Sequence, residues 1–311
     1  MSNKSSGSDF LLLEFSDVRE LQFLHFMVFL MLYLATVMGN LLIISSVTLD
    51  RHLHTPMYFF LMNLAMQDIG QVSVTVPKSM INSLLNTRLI SYSGCVTQVF
   101  FFFFFIMSDF CLLTVMAYDR YVAICNPLRY EMVINRQACI EMIAGVWIAG
   151  SLYAGIHTCG TFATQFCSNV VNQFFCEIPQ LIKLSCSGLN VIEMSSIMMG
   201  VILGLSFLIY ILVTYAHIFT TVFRLPSAKG RQKAFSTCIP HLIVYSTFVF
   251  SACFAYLKPA SQTPSQLDLI FGVIYSLVPP LLNPVIYSIR NKEVKKAMAK
   301  FLGFRGFSTN T

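Results

Sequence analysis

The stretch MAYDRYVAICNPLRY, residues 116–130, closes one of the most apolar runs of the chain with two adjacent charges, Asp119 and Arg120. The run before it includes phenylalanine at every position from 100 to 105 and lacks the alternation of a half-buried strand. Residues 95–121 are long enough to cross a bilayer core, which needs about 20 mostly apolar residues. Charges are tolerated where a membrane helix reaches the interface. We therefore interpret the stretch as the boundary end of a membrane-spanning helix.

The composition of the whole chain supports lipid as its solvent. Of 311 residues, 56% are hydrophobic and only 11% are charged, and the mean hydropathy is +0.70. Ordinary soluble domains carry about 25% charged residues. A net charge of +6 is compatible with nucleic-acid binding, but the basic residues lie in short loops and in the tail. Membrane topology accounts for that distribution better, so no nucleic-acid partner is expected.

Seven segments are long and apolar enough to span a membrane. Backbone groups in hydrocarbon must be hydrogen-bonded within their own segment, which favours helices over strands. Because no repeat or long linker interrupts the chain, we expect one all-α seven-helix bundle over 1–311. Its N-terminal segment is 1–21, its bundle 22–289 and its tail 290–311. The predicted spans are 22–48, 57–84, 95–121, 139–161, 194–223, 237–257 and 267–289.

The basic residues predict an orientation, since Lys and Arg are enriched in the cytoplasmic connections of membrane proteins. With the N-terminus outside, 13 of them lie in the inner loops and tail and 5 on the outer side. Asn3 begins an Asn-Lys-Ser glycosylation sequon on that outer side. No apolar signal-peptide core precedes Leu21, so the first span is expected to act as an uncleaved signal anchor. In the tail, residues 291–304 predict a short basic amphipathic helix on the inner leaflet.

Four of the ten cysteines fall at or beyond the outer face, where disulfides persist: Cys95, Cys167, Cys176 and Cys186. Four cysteines allow three pairings, and their spacing alone does not choose among them. The other six lie in or near the spans and are interpreted as packing residues.

Several motifs give the chain a family resemblance. A seven-helix bundle with Asp-Arg-Tyr at residues 119–121 looks like a rhodopsin-like G-protein-coupled receptor. The longer run MAYDRYVAIC, residues 116–125, resembles an olfactory receptor. Three further runs carry the same resemblance, from the first inner loop to the tail: PMYFFL at 56–61, KAFSTC at 233–238 and PVIYSIRN at 284–291.

This resemblance implies an odorant receptor of the plasma membrane that binds small volatile organic ligands. It further implies activation of a heterotrimeric G protein of the stimulatory, olfactory type, which raises cAMP, with no enzymatic activity and no cofactor. It pairs Cys95 with Cys176 and Cys167 with Cys186. Two alternatives stay open: a receptor of the same build with a non-olfactory ligand, and a transporter or channel. Transporters usually contain inverted repeats, which the seven unlike spans do not show.

The resemblance also suggests a switch at the inner ends of the helices. An Arg near the inner interface is costly to leave unpaired, and Asp119 can satisfy Arg120 and release it on activation. The alternative is that Arg120 simply extends to the interface. Pro284 removes a helix hydrogen bond and predicts a kink in the seventh span, either movable or static. The predicted switch residues are Asp119, Arg120, Tyr121, His241, Asn283, Pro284 and Tyr287.

Two carboxylates, Asp68 and Asp109, lie within otherwise apolar spans, where an ionised group costs about 2.5–3.5 kcal/mol. Asp68 resembles the acidic residue of the receptor sodium site, and Asn283 would complete a polar cluster with both acids. The alternative is a neutral, hydrogen-bonded contact between helices, because two close acids can share a proton.

By family analogy, the third, fifth and sixth spans line an apolar ligand pocket, with Tyr256 and Ser276 as polar tips. Any of these side chains could instead face lipid or the core. The seventh span has no Lys between Leu267 and Ile289, which excludes a retinal Schiff base there. The outer part of the third span has Phe102 and no acidic residue, so the counter-charge of an amine-binding receptor is missing there. The predicted ligand residues are Phe102, Phe103, Ile106, Met107, Met199, Ile202, Leu203, Val249, Cys253 and Tyr256.

Overall fold

The structure of the protein, a computed structural model, describes residues 9–13, 16, 18–186, 191–224, 232, 235, 238–239, 242–250, 253, 266–290 and 294. Each predicted span coincides with helical residues, and the all-α prediction is confirmed. The predicted tail helix lies outside the described residues except for Val294, and Asn3 lies outside them as well. We number the helices of the spans α1 (Arg19–Leu49), α2 (Pro56–Leu85), α3 (Tyr92–Cys125), α4 (Arg136–Phe162), α5 (Val191–Phe223), α6 (242–250) and α7 (Gln266–Arg290).

Local sequence signals set several helix ends. Pro56, which has no N–H to leave unpaired, occupies the first position of α2. Asn86 ends α2 in the left-handed conformation, with φ of 52°. The Ser91 hydroxyl accepts a hydrogen bond from the Gly94 N–H at 3.1 Å and so caps α3. Asn135 caps α4 in the same way. The connections also contain short helices at Arg51–Leu53, Pro127–Arg129, Tyr130–Val133 and Ile178–Ile182.

Five helices of the described part are long and apolar enough to cross a membrane, and α2 is not one of them. This helix carries Asn63, Gln67, Asp68 and Gln71, all of which are buried. The polar face of α2 therefore points into the bundle and lowers the hydropathy of the helix without meeting lipid. The described part of α6 is too short for its length to indicate whether the helix crosses a membrane. The five are α1, α3, α4, Met198–Phe223 of α5 and Leu269–Ile286 of α7.

Helix α3 lies at the centre and packs against α2, α4 and α5. Glycines permit two of these close approaches. A Cβ atom at Gly70 would lie 2.2 Å from the Phe105 ring, and one at Gly150 would lie 2.2 Å from the Ser108 hydroxyl. Since neither position has room for a side chain, the helix spacing depends on glycine at both.

Loops at one end of the bundle are joined by a small sheet that the sequence did not predict. Its strands are β1 (Phe10–Leu12), β2 (Leu89–Ile90) and β3 (Val170–Val171), in the order β2-β1-β3. Strand β1 pairs antiparallel with β2 and parallel with β3. The N-terminal strand thus connects the α2–α3 loop to the α4–α5 loop.

Both disulfides implied by the resemblance form at this same end: Cys95–Cys176 and Cys167–Cys186. We call it the disulfide end and the opposite one the Arg120 end. A separate hydrophobic cluster fills each half of the bundle.

Candidate functional site

A small apolar cavity of about 80 Å³ lies in the half of the bundle near the disulfide end. All of α3, α4, α5, α6 and α7 contribute to it, so it sits where the central helices converge. Aromatic side chains make up five of its eleven described lining residues. It is lined by Phe103, Ile106, Phe110, Tyr153, Gly200, Val201, Gly204, Phe248, Val249, Cys253 and Tyr275.

The structure places the predicted ligand residues in different environments. Four of them line the cavity: Phe103, Ile106, Val249 and Cys253. Phe102 and Met107 are buried outside the lining, and Phe102 packs against Phe175 with ring centroids 4.9 Å apart. Tyr256 lies outside the described residues.

The fifth-helix residues need a correction. Met199 and Ile202 are 37% and 59% exposed, on the surface of α5 rather than in the cavity. Leu203 is half-buried and is also absent from the lining. The helix turns Gly200, Val201 and Gly204 inward instead. Glycine spaced by four residues was the available sequence signal for this face, since small residues mark close helix packing in membranes.

Sequence reasoning also missed the contribution of α4. Tyr153 lines the cavity, and His157, one turn later, stacks on Phe103 with ring centroids 5.3 Å apart. A Cβ atom at Gly200 would lie 2.6 Å from the Tyr153 hydroxyl oxygen. Glycine at position 200 therefore lets the tyrosine reach across from α4 to α5.

A hydrogen-bonded roof covers the cavity on the side of the disulfide end. The Tyr275 hydroxyl donates to one carboxylate oxygen of Glu177, and the Gln173 side-chain amide donates to the other at 3.2 Å. Gln98 of α3 accepts from the Cys176 N–H at 2.8 Å. The loop segment around Cys176 is thus fixed to α3 by a disulfide and a hydrogen bond, and to α7 through Glu177.

The predicted polar cluster forms around Asp68, which is fully buried. The Asn283 amide donates to both carboxylate oxygens, at 3.0 and 3.1 Å. Asp109 is close enough to act on Asp68 electrostatically, and its own Oδ1 has no hydrogen-bond partner among the described residues. The three side chains are therefore brought together, with one carboxylate oxygen available to a cation or a shared proton. The described part of the chain has no group of three or more His, Cys, Asp or Glu arranged to hold a metal.

Two amide side chains next to this cluster support the proline-rich helix α7. A proline has no N–H for the carbonyl four residues earlier. Pro284 therefore frees the Pro280 carbonyl, which accepts from the Asn40 amide at 3.2 Å. Pro280 likewise frees the Ser276 carbonyl, which accepts from the Gln71 amide at 3.2 Å. Two of the missing bonds of α7 are thus replaced from α1 and α2.

At the Arg120 end, Asp119 and Arg120 are both buried and interact electrostatically. The hydrogen bond to Asp119, however, comes from the Tyr130 hydroxyl at 2.7 Å. Burial, followed by this bond, raises the pKa of Tyr130 above its usual range, so the hydroxyl remains a donor. The Arg120 Nε is buried without a hydrogen-bond partner among the described residues.

The remaining predicted switch residues are only partly described. The Tyr121 ring lies 6.3 Å from that of His217 on α5. Pro284 contacts α1, where a Cβ atom at Gly39 would lie 3.0 Å from the proline Cβ. His241 and the side chain of Tyr287 lie outside the described residues.

Comparison with known proteins gives one consistent result. The family described as "Olfactory receptor" matches residues 29–304. Human olfactory receptor 14C36 is 48% identical over 311 residues, covering 100% of both chains. Human olfactory receptor 14A16 is 46% identical over 303 residues, covering 97% of this chain and 98% of the relative. The crystal structure of squid rhodopsin matches with a TM-score of 0.73 at 18% identity, covering 96% of this chain and 90% of that one, which shows a shared fold.

Proposed function

Because the chain belongs to the olfactory receptor family, we propose that it binds small, volatile organic molecules and activates a heterotrimeric G protein. The G protein is of the stimulatory, olfactory type, and its activation raises cAMP. Membership of this family and the rhodopsin fold make the chain a multi-pass membrane receptor and not an enzyme. The observation that carries the proposal is the aromatic-lined cavity under a roof tied to α3 and α7.

The dimensions of the cavity bear on how a ligand would act. Ligand pockets usually measure about 300–1,000 Å³, whereas this cavity measures about 80 Å³. A bound odorant would therefore move side chains of the wall outward. A ligand that binds the widened cavity more tightly than the unwidened cavity shifts the receptor toward the widened state. The size of the shift is set by the difference between the two affinities.

A chain of aromatic contacts links the wall to the rest of the bundle. Phe110 lines the cavity and stacks on Phe248 of α6 with centroids 4.7 Å apart. It also meets the Tyr245 ring at 5.4 Å, one turn farther toward the Arg120 end. Widening the cavity at Phe248 would thus displace α6 relative to α3.

We propose that the charged groups at the Arg120 end respond to this displacement. Arg120, buried and with no hydrogen-bond partner for its Nε in the described part of the chain, would be released toward the G protein when α6 moves. Cys238, in the same region, lies near enough for Arg120 to act on it electrostatically. We assign Asp119, Tyr121, His241, Asn283, Pro284 and Tyr287 to the same switch. We assign Asp68, Asp109 and Asn283 to a sodium site.

The proposed topology has the disulfide end and residues 1–21 outside the cell, residues 22–289 in the plasma membrane and residues 290–311 in the cytoplasm. Disulfides persist outside the cytosol, which supports this direction. Glycosylation at Asn3 belongs to the same proposal. An antibody epitope placed after residue 311 should be accessible only in permeabilised cells, and detection on intact cells would refute the orientation.

The deciding experiment is a cAMP reporter screen of the receptor against a broad odorant panel in cells that contain the olfactory G protein. We expect concentration-dependent cAMP for at least one volatile compound. Arg120→Ala, matched for surface expression, should abolish that response. Failure of every odorant in well-displayed receptor would refute the proposed ligand class, and full signalling by Arg120→Ala would refute the switch.

A further inference from the structure

Two side chains of α4 lie at the cavity: Tyr153 lines it, and the His157 imidazole packs on Phe103 and Tyr153, which both line it. His157 is 4% exposed, and its Nε2 is buried with no partner in the described part of the chain. Tyr153 lines the cavity, and its hydroxyl forms no hydrogen bond with another described residue. Buried polar atoms are almost always hydrogen-bonded, so the unsatisfied His157 Nε2 beside an apolar cavity calls for an explanation.

Both side chains are held in place by packing rather than by polar contacts. The imidazole lies flat on the Phe103 ring, with centroids 5.3 Å apart and an angle of 13° between the planes. The Tyr153 ring lies 4.3 Å from the imidazole, and residues four apart share one face of a helix. The absence of a side chain at Gly200 leaves the Tyr153 hydroxyl its space. The two polar atoms are therefore pre-positioned, which favours a ligand that meets them.

We propose that Tyr153 and His157 form the polar subsite of the cavity and select ligands that carry a neutral oxygen, as an alcohol or a carbonyl, over hydrocarbons of the same shape. The Tyr153 hydroxyl donates to the ligand oxygen. The His157 Nε2 accepts from an alcohol O–H, or donates to a carbonyl in its other tautomer. The remaining wall, which is largely aromatic and aliphatic, holds the hydrocarbon part. This inference rests on the proposed odorant function. It adds the chemical class of the ligand and the two residues that recognise it.

The test uses matched probes: straight-chain alcohols, aldehydes and alkanes of six to nine carbons. Each is applied in the cAMP assay and in a thermal-shift assay on purified receptor. Tyr153→Phe removes only the hydroxyl, and His157→Phe keeps a ring stacked on Phe103 while removing Nε2. Tyr92→Phe is the matched control, because Tyr92 does not line the cavity. We expect oxygen-bearing probes to be preferred, and each of the first two variants to weaken them by roughly three- to tenfold, as for a lost neutral hydrogen bond.

The outcomes separate this inference from the proposed function. If alkanes act as strongly as alcohols and aldehydes, or if both α4 variants respond like Tyr92→Phe, the subsite is refuted while the receptor function stands. If no probe raises cAMP in displayed receptor, signalling by these compounds fails and the thermal shift decides the subsite alone. Stabilisation by the oxygen-bearing probes only, reduced in Tyr153→Phe, supports the subsite in that case. Equal shifts, or none for any probe, refute it.

Discussion

The hydrogen bond from Tyr130 to Asp119 gives a sharp test of how the resting receptor is held. It joins the short helix Tyr130–Val133, after α3, to the charged pair at the end of α3, with 2.7 Å between the two oxygens. Tyr130→Phe removes the hydroxyl and retains the ring. If Asp119 holds Arg120 in the resting state, loss of its hydrogen-bonded support should favour the released state and raise signalling without ligand.

The expected size follows from the charge on the acceptor. A hydrogen bond to a charged group contributes about 1.5–3 kcal/mol, and Asp119 is buried while Tyr130 is half-buried, so we take the lower value. If the bond is made in the resting state and broken in the active one, about 1.5 kcal/mol corresponds to roughly a tenfold increase in the active fraction. Because the pKa of Tyr130 is raised, the hydroxyl is protonated at neutral pH and the full effect should be present there.

The assay is basal cAMP at matched surface expression. Tyr118→Phe is the control, since Tyr118 lies on the same turn as Asp119 and its hydroxyl has no hydrogen bond to another described residue. We expect about a tenfold rise in basal signal for Tyr130→Phe and none for Tyr118→Phe. Equal basal signals in the two variants and the unmodified receptor would show that the Tyr130 bond does not distinguish the states.

Three further predictions concern stability. Gly150→Ala should lower the free energy of unfolding by about 1–3 kcal/mol through overpacking, because the new Cβ would lie 2.2 Å from the Ser108 hydroxyl of α3. Gly155→Ala on the same helix is the control, since its Cβ would meet nothing within 4 Å. Equal melting temperatures for the two variants would contradict the close approach. Leu11→Pro should lower the melting temperature, because it removes the hydrogen bond from the Leu11 N–H to the Asn169 carbonyl at 2.8 Å, worth about 1 kcal/mol. An unchanged melting temperature would show that β1 does not stabilise the loops. Replacing sodium with choline should destabilise the unmodified receptor but not Asp68→Asn, while a sodium-insensitive unmodified receptor would favour the shared proton.

The sequence predicted the helices well because their solvent imposes strong rules. A span has to be long, apolar and internally hydrogen-bonded, so hydropathy alone located the helical regions. The polar cluster was also predictable, since Asp68 and Asn283 had to find partners inside the bundle, and they do so at 3.0 and 3.1 Å. The three-stranded sheet was not, because its strands are only two or three residues long and no such pairing has a periodic signal.

The cavity wall was harder to predict for a related reason. Apolar side chains cover every side of α5, so hydropathy does not distinguish the face toward lipid from the face toward the bundle. Met199 and Ile202 were therefore predicted inward and are found exposed, while Gly200 and Gly204 face the cavity. The role of Tyr130 could not be predicted, because it lies 11 residues after Asp119 and beyond the end of α3, where helix periodicity no longer relates the two side chains.

The support of α7 by its neighbours links the two ends of the molecule. Two freed carbonyls of this helix have partners on other helices, Asn40 for Pro280 and Gln71 for Ser276. A bend at these prolines therefore cannot change without exchanging those bonds, which makes the positions of α1, α2 and α7 depend on one another. Tyr275, next to Ser276, lines the cavity and binds the roof, whereas Asn283 binds Asp68. Movement of the cavity wall at α7 should therefore reach the polar cluster through this helix, which its missing internal bonds make easier to bend than an uninterrupted one.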